Sequence, residues 1–197
     1  MASLFDTLQA QAFKAGITAR TKKSQKWFRD KIEDMKTPDR RALLKDDALE
    51  PTTRELRGSM YMYFYDPKHK KTLPYYDRFP LVLLIEQRKG GFLGLNLHYL
   101  RPDIRAKFLD ELMKLSAGKI TDKSRLMKAR YDLISSTRKY KEFRPCLKMY
   151  LSNHIKSRMV RVPMSEWEIA IFLPTEQFKK SQKSKIWADS IKIARQT

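Results

Sequence analysis

MYMYFYDPKHKKTLPYYDRFPLVLLIEQRKGGFLGLNLHYL, residues Met60–Leu100, decides the fold. Three apolar runs of strand length lie in it. In LVLLIEQR, Val82, Leu84 and Glu86 oppose Leu81, Leu83, Ile85 and Gln87. In FLGLNLHYL, Leu93, Leu95, Leu97 and Tyr99 share one face, and Phe92, Gly94, Asn96 and His98 the other. A period of two marks strands, and RKGG between the runs supplies the positive φ that a tight hairpin needs. MYMYFY is aromatic or apolar on both faces. A three-stranded antiparallel meander follows, and one or two further strands would close it into a small SH3-like β-barrel. The intervening DPKHKKTLPYYDRFP carries Pro67, Pro74 and Pro80, which do not belong in a central strand, so it reads as a stiff loop.

Upstream, Leu4, Phe5, Leu8, Ala12 and Ala15 recur at helical spacing until Gly16. SQKWFRDKIEDM makes a second helix, with Ser24 able to cap it. The next stretch, to Ser59, has no period and reads as a strap. Downstream, Pro102 opens a helix on Ile104, Phe108, Leu112 and Leu115, and a second helix runs from about Asp122 to Ser136. Pro145 is expected to open a third, with Leu147, Tyr150, Leu151 and Ile155 inward. MVRVP and EWEIAIFLP, the latter alternating at Trp167, Ile169, Ile171 and Leu173, read as strands, and KSKIWADSIKIAR as a last helix. The predicted class is α+β. Residues 1–57 form a helical arm and linker, and residues 58–197 a single domain: β-rich over 58–100, mainly helical over 101–156, then strands and a C-terminal helix.

The 42% apolar and 11% aromatic content exclude a disordered chain, and the formal charge of +20 makes an anionic partner the first to consider. Residues 1–57 carry an excess of +4, residues 58–100 of +3 and residues 101–197 of +13. Lys123, Arg125, Lys128, Arg130, Arg138, Lys139, Lys141, Arg144, Lys148, Lys156, Arg158 and Arg161 crowd a stretch in which only Asp132 and Glu142 oppose them. The loop adds Lys68, His69, Lys70, Lys71 and Arg78, and the hairpin Arg88 and Lys89. A solvated face is the ordinary reading of such charge, but so little acidic compensation favours phosphate contact. Base-reading motifs are absent, so recognition of backbone or structure is expected. One cysteine, Cys146, suits a reducing interior and reads as a small buried hydrophobe. No signal-peptide pattern and no bilayer-spanning run appear, so a soluble cytoplasmic protein without membrane contact is expected.

Enzyme signatures are mostly missing, and neither metal, cofactor nor small-molecule substrate is expected. One pattern competes. Asp77 followed by Glu86 and Arg88 loosely matches the metal-dependent nuclease arrangement of two Mg²⁺-holding carboxylates and a lysine. Arginine in the lysine's place manages protons poorly, and an exposed charge cluster at a hairpin end explains Glu86 equally well. His98, alternating out of the apolar face, is expected to meet solvent or a neighbour.

MYMYFYDPKHKKTLPYYDRFPLVLLIE, GGFLGLNLHYL and EWEIAIFLPTEQF resemble the DNA end protector proteins of T-even-type tailed phages, in the branch carried by their marine relatives. The likeness runs from the FDT opening to IWADS near the end. It implies a minor virion protein that binds the ends of the packaged linear double-stranded genome, enters the host with it and shields the ends from exonuclease. It also implies a part in completing filled heads. It carries no residue-level site. An end binder needs a flat element against the terminal base pair, and Tyr75, Tyr76 and Phe79 are candidates, since base stacking on an aromatic ring contributes about 1–3 kcal/mol. The same rings would equally serve to plug the end of a small barrel. The competing reading is a head-to-tail neck or tail protein in contact with portal, neck or tail components.

Overall fold

The computed structural model describes residues 3–52, 57–117 and 123–196; the side chains of 115–117, 123, 124, 127 and 130 also lie outside the described set. Helices α1 (Leu4–Lys14), α2 (Lys22–Glu33) and α3 (Arg40–Leu43) precede the sheet. Its strands are β1 (Glu50–Pro51), β2 (Met60–Met62), β4 (Leu81–Arg88), β5 (Gly91–Asn96), β6 (Leu147–Leu151) and β7 (Val160–Val162). A small separate ladder pairs β3 (Tyr76–Asp77) with β8 (Phe178–Lys179). Helices α4 (Pro102–Ala117), α5 (Lys123–Ser136), α6 (Trp167–Ala170) and α7 (Lys183–Gln196) complete the chain.

The main sheet is antiparallel in the order β1-β7-β2-β4-β5-β6. It contains the expected meander β2-β4-β5. The barrel does not close: β1 and β6 are its two edges among the described residues. The chain after β2 is tied to the end of β6 and the segment beyond it by a Tyr65–Ile155 bridge, by Lys156 N–H donating to the Phe64 carbonyl (2.7 Å), and by a Leu151 N–H donated to the Tyr65 hydroxyl (3.1 Å). The architecture is therefore an open antiparallel sheet with helices.

Apolar residues on both faces of β2 and β4 have separate destinations. Met60, Met62, Leu81, Leu83, Ile85 and Leu95 enter the main core under the helices. Tyr61, Tyr63, Tyr65, Val82, Leu84, Phe92 and Tyr150 fill the other face, where Tyr63 meets Tyr150 edge-on at 5.6 Å and Phe92 stacks on Tyr150 at 5.5 Å. Aromatic pairs of this kind favour such offset and T-shaped geometry. A bulge at Ile85 lies where the pairing passes from Leu84↔Gly94 to Glu86↔Leu93. Beyond it β4 emerges into solvent.

The two glycines of RKGG have different tasks. Gly90, at φ +78°, takes the left-handed turn. Gly91 makes room: a Cβ there would stand 1.9 Å from the Tyr150 carbonyl oxygen. Gly91→Ala is thus expected to force β6 off β5 and lower stability by about 1–3 kcal/mol, read as a lower midpoint of urea unfolding. An unchanged midpoint would show that β6 can shift at no cost.

The N-terminal helices lie on the main core through Phe5, Leu8, Ala12, Phe28 and Ile32. Thr21, not Ser24, is the N-cap of α2; Ser24 closes the capping box from the third position of the helix. Ser24 also donates to Glu168 (2.6 Å), and Gln9 Nε2 donates to Glu166 (2.8 Å). These buried carboxylates sit in EWEIAIFLP, which is helical rather than extended: a 3₁₀ turn over Met164–Glu166 leads into α6. Trp167, Ile169, Ala170, Ile171 and Leu173 are buried together with Glu166 and Glu168, so the segment is buried all round and its alternation carried no information about period.

The expected helix after Pro145 is also absent. A 3₁₀ segment, Lys141–Cys146, gives way to β6, paired with β5 from Leu147↔Leu95 to Leu151↔Gly91. The open edge of β5, with Gly91 where β6 must approach, outweighs a local pattern compatible with helix. Cys146 is buried at this junction, and burial pushes its thiol up to about 12, consistent with an inert packing role.

Candidate nucleic-acid interface

The proline-bounded loop wraps one end of the sheet. Its base is tied down by Asp66 N–H donating to the His154 carbonyl (3.0 Å) and by the β3–β8 ladder. Lys180 Nζ clamps the middle by donating to the carbonyls of Lys71 and Leu73 (2.8 and 2.9 Å). Lys68, His69, Lys70, Lys71 and Arg78 are exposed. Lys70 pairs with Asp66 at 2.8 Å; that contact, with Arg78 and Lys156 nearby, lowers the pKa of the Asp66 carboxyl. A cationic rim therefore surrounds one satisfied carboxylate.

Behind this rim the loop and sheet enclose a cavity of about 310 Å³. Tyr65, Tyr75, Tyr76, Tyr99 and Tyr150 line it, with Lys68, His69 and Lys148. Tyr75 and Tyr76 are half-buried, so their rings are neither free in solvent nor sealed in the core. Lys148, expected on a helix, comes instead from β6 and places Nζ 4.4 Å from the centre of the Tyr99 ring. Burial lowers its ammonium pKa, and among the described residues it has no carboxylate partner. Phe79 has another role: at 0% exposure, 4.9 Å from the Phe64 ring, it is a plug and is closed to any base.

The floor is a buried polar cluster. Asp77 accepts from Phe79 N–H and Gln177 N–H (both 3.0 Å) on one oxygen, and from His98 Nδ1 (2.6 Å) and Asn96 Nδ2 (3.3 Å) on the other. A carboxylate only accepts, so His98 Nδ1 carries the proton, and its Nε2 lies 3.2 Å from the Thr175 hydroxyl. Of the two contacts expected for His98, solvent or a neighbour, it makes the second: it is fully buried, held between Asp77 and Thr175. Burial pushes the Asp77 pKa up, but the attraction of His98 and the hydrogen bonds outweigh it, leaving a net lowering. Arg105, also buried, donates to the carbonyls of Leu100, Ile171 and His98 and seals the cluster from below.

This arrangement undoes the nuclease pattern. Every lone-pair direction of Asp77 is taken, while Glu86 lies on exposed β4, where Arg138 (2.7 Å) and Arg88 (3.4 Å) share it. Those contacts, Arg138 first, lower the Glu86 pKa. Among the described residues no group of three or more His, Cys, Asp or Glu could hold a metal.

The remaining cations fall elsewhere on the surface. Lys89 is exposed on the hairpin, which reaches the end of β6 through Ser152 N–H donating to the Gly90 carbonyl (3.0 Å). Arg125 and Lys128 are exposed on α5, which packs against β4. Lys139, Lys141 and Arg144 are exposed along the two 3₁₀ turns before β6. The side chains of Lys123 and Arg130 lie outside the described residues. The cavity thus gathers Lys68, His69, Tyr75, Tyr76 and Lys148, and leaves the α5 and 3₁₀ cations as a separate field. Asn96, Tyr99 and Tyr150 escaped sequence reasoning as site residues. Their one signal was a polar or hydroxylated residue inside apolar runs.

A model of the family described as Phage T4 terminal DNA protecting protein matches residues 1–194. The chain belongs to that family. No curated protein and no solved structure gives a match. For a member of the terminal DNA protecting family, a cationic rim around an aromatic cavity is the notable feature of the surface. Among the described residues no helix is long and apolar enough to cross a membrane.

Proposed function

We propose that this chain is a non-catalytic virion protein that binds the ends of the packaged linear duplex genome, protects them from host exonuclease and takes part in completing filled heads. The observation that carries this reading is the family match over residues 1–194. The charge distribution supports it. Exposed lysines and arginines outnumber the carboxylates available to pair with them, and such cations neutralise phosphates without regard to sequence. Residues 58–197 act as the binding domain in this reading, with residues 1–57 as an arm strapped over its core. Portal, neck or tail proteins are the partners expected when the filled head is completed.

A linear duplex incubated with the protein and then with a double-strand exonuclease tests the proposal. Protection saturating near one complex per end is expected, and closed circles should compete poorly. Equal competition by circular and linear DNA would remove the end-specific part of the function. Mg²⁺-dependent cleavage of the duplex by the protein alone would overturn the non-catalytic part, and assembly with portal or tail components without any protection would leave a neck protein.

A further inference from the structure

We infer that the aromatic cavity between the proline-bounded loop and β6 receives the unpaired terminal nucleotide of a DNA strand, its base among the tyrosine rings and its phosphate against Lys148 and Lys68. The inference rests on the end-binding function proposed above and supplies what that function lacks. Cations on the surface grip duplex anywhere along its length, because every phosphate is alike. Discrimination of an end needs a feature that only an end offers, and a base free to leave its stack is one.

Size comes first. At about 310 Å³ the cavity is at the lower limit for small-molecule sites, so it has room for one nucleotide and none for a base pair or a length of backbone. The lining is next. Tyr75 and Tyr99, with centroids 6.1 Å apart and planes tilted by 38°, and Tyr76, Tyr65 and Tyr150 supply aromatic surface on several sides. A flat ring with polar edges suits such walls better than an aliphatic chain.

Polar groups set the orientation. Asn96 donates to the Tyr150 hydroxyl (3.1 Å), and none of the hydrogen bonds of the described residues uses that hydroxyl's own proton, which remains to meet an acceptor on a base edge. Asp77 forms part of the floor as an anion, which repels phosphate from the deep end. Lys148 is half-buried with an aromatic neighbour and no carboxylate, and Lys68 and His69 stand at the mouth, where phosphate is welcome. Base inward and phosphate outward is the only orientation that satisfies both ends of the cavity. A one-nucleotide overhang is already unpaired, so it should enter without the unstacking cost that a blunt end incurs.

The experiment compares three forms of one short duplex: with a single-nucleotide overhang, with blunt ends, and closed at both ends by hairpin loops. Wild-type protein is expected to bind the overhang form about 5- to 150-fold more tightly than the closed form, the span set by stacking of one base, with the blunt form between. Leu73 also lines the cavity. Leu73→Trp, which takes up its space, and Tyr76→Ala, which strips a wall, should lower affinity for the open forms to that of the closed form and leave the latter unchanged. Variants that retain the end preference overturn the inference and leave the proposed function standing; a wild-type protein indifferent to closure overturns both. Displacement of the overhang duplex by free deoxynucleoside monophosphate at equal affinity would make the cavity a mononucleotide site and overturn the strand-end assignment. A second readout is independent of folding defects in the variants. Photocrosslinking of wild-type protein to duplex carrying terminal 5-iododeoxyuridine should label a cavity tyrosine, and a label mapped only outside the cavity overturns the inference.

Discussion

Asp77→Ala is expected to lower stability by about 3–5 kcal/mol, a large part of what a domain of this size possesses. The side chain is 4% exposed and joins four donors from three separate parts of the chain: Phe79 N–H, Gln177 N–H, Asn96 Nδ2 and His98 Nδ1. Removing it strands two backbone N–H groups and an imidazole away from water, and unmade buried bonds cost more than made ones contribute. Asp77→Asn should cost less, since one amide oxygen can still serve the two backbone donors while the attraction to His98 is lost. Urea unfolding followed by circular dichroism measures both. The pH dependence has a definite sign. The folded-state pKa lies below the ordinary carboxylate value, so the contribution is fully present above the unfolded pKa of about 3.9 and is lost as pH falls through the folded value. Wild type should therefore lose stability in acid, below about pH 4, more steeply than Asp77→Ala. An Asp77→Ala protein as stable as wild type would show that the cluster is incidental to the fold.

That cluster also marks where sequence reading stops. The hairpin was legible because two largely apolar runs of strand length flank a pair of glycines, and α4, α5 and α7 because their apolar stripes have a single period. These signals are local. β6 and α6 were misread for one physical reason: their state is chosen by distant partners. Leu147–Leu151 extends because β5 offers an open edge, and Glu166 and Glu168 enter a helix that receives hydrogen bonds from Gln9, Ser24 and the backbone of Arg20. The cavity was half legible. Prolines, lysines and tyrosines in one stretch pointed to a stiff presenting loop, but Lys148 arrives from 80 positions after Lys68, and Asn96 and Tyr99 lie inside a run read as core. Neither residue type nor spacing could have joined them.

The largest functional effect is expected from salt. If the exposed cations engage six to ten phosphates, affinity for duplex should fall roughly 10³- to 10⁵-fold between 50 and 200 mM salt. A formal charge of +20 does not itself guarantee this, because a cation already holding a carboxylate has less to offer. Arg88 and Arg138 share Glu86, Lys70 holds Asp66, Arg101 holds Asp103, and Arg161 holds Glu50. Lys68, Lys71, Lys139, Lys141 and Arg144 form no ion pair among the described residues and should carry the dependence. Each phosphate contact adds about 0.9 to the slope of log affinity against log salt, so Lys139→Gln with Lys141→Gln should flatten it by about 1.8. Arg101→Gln, whose cation is already paired, should flatten it less. The two contributions to binding then separate. Loss of Lys139 and Lys141 weakens binding to open and closed duplex alike and changes the slope for both, whereas stripping Tyr76 changes the preference for ends and leaves the slope for closed duplex as it was. A slope near zero in wild type would mean that the cations face something other than phosphate, and the chain's excess charge would then need a protein partner to explain it.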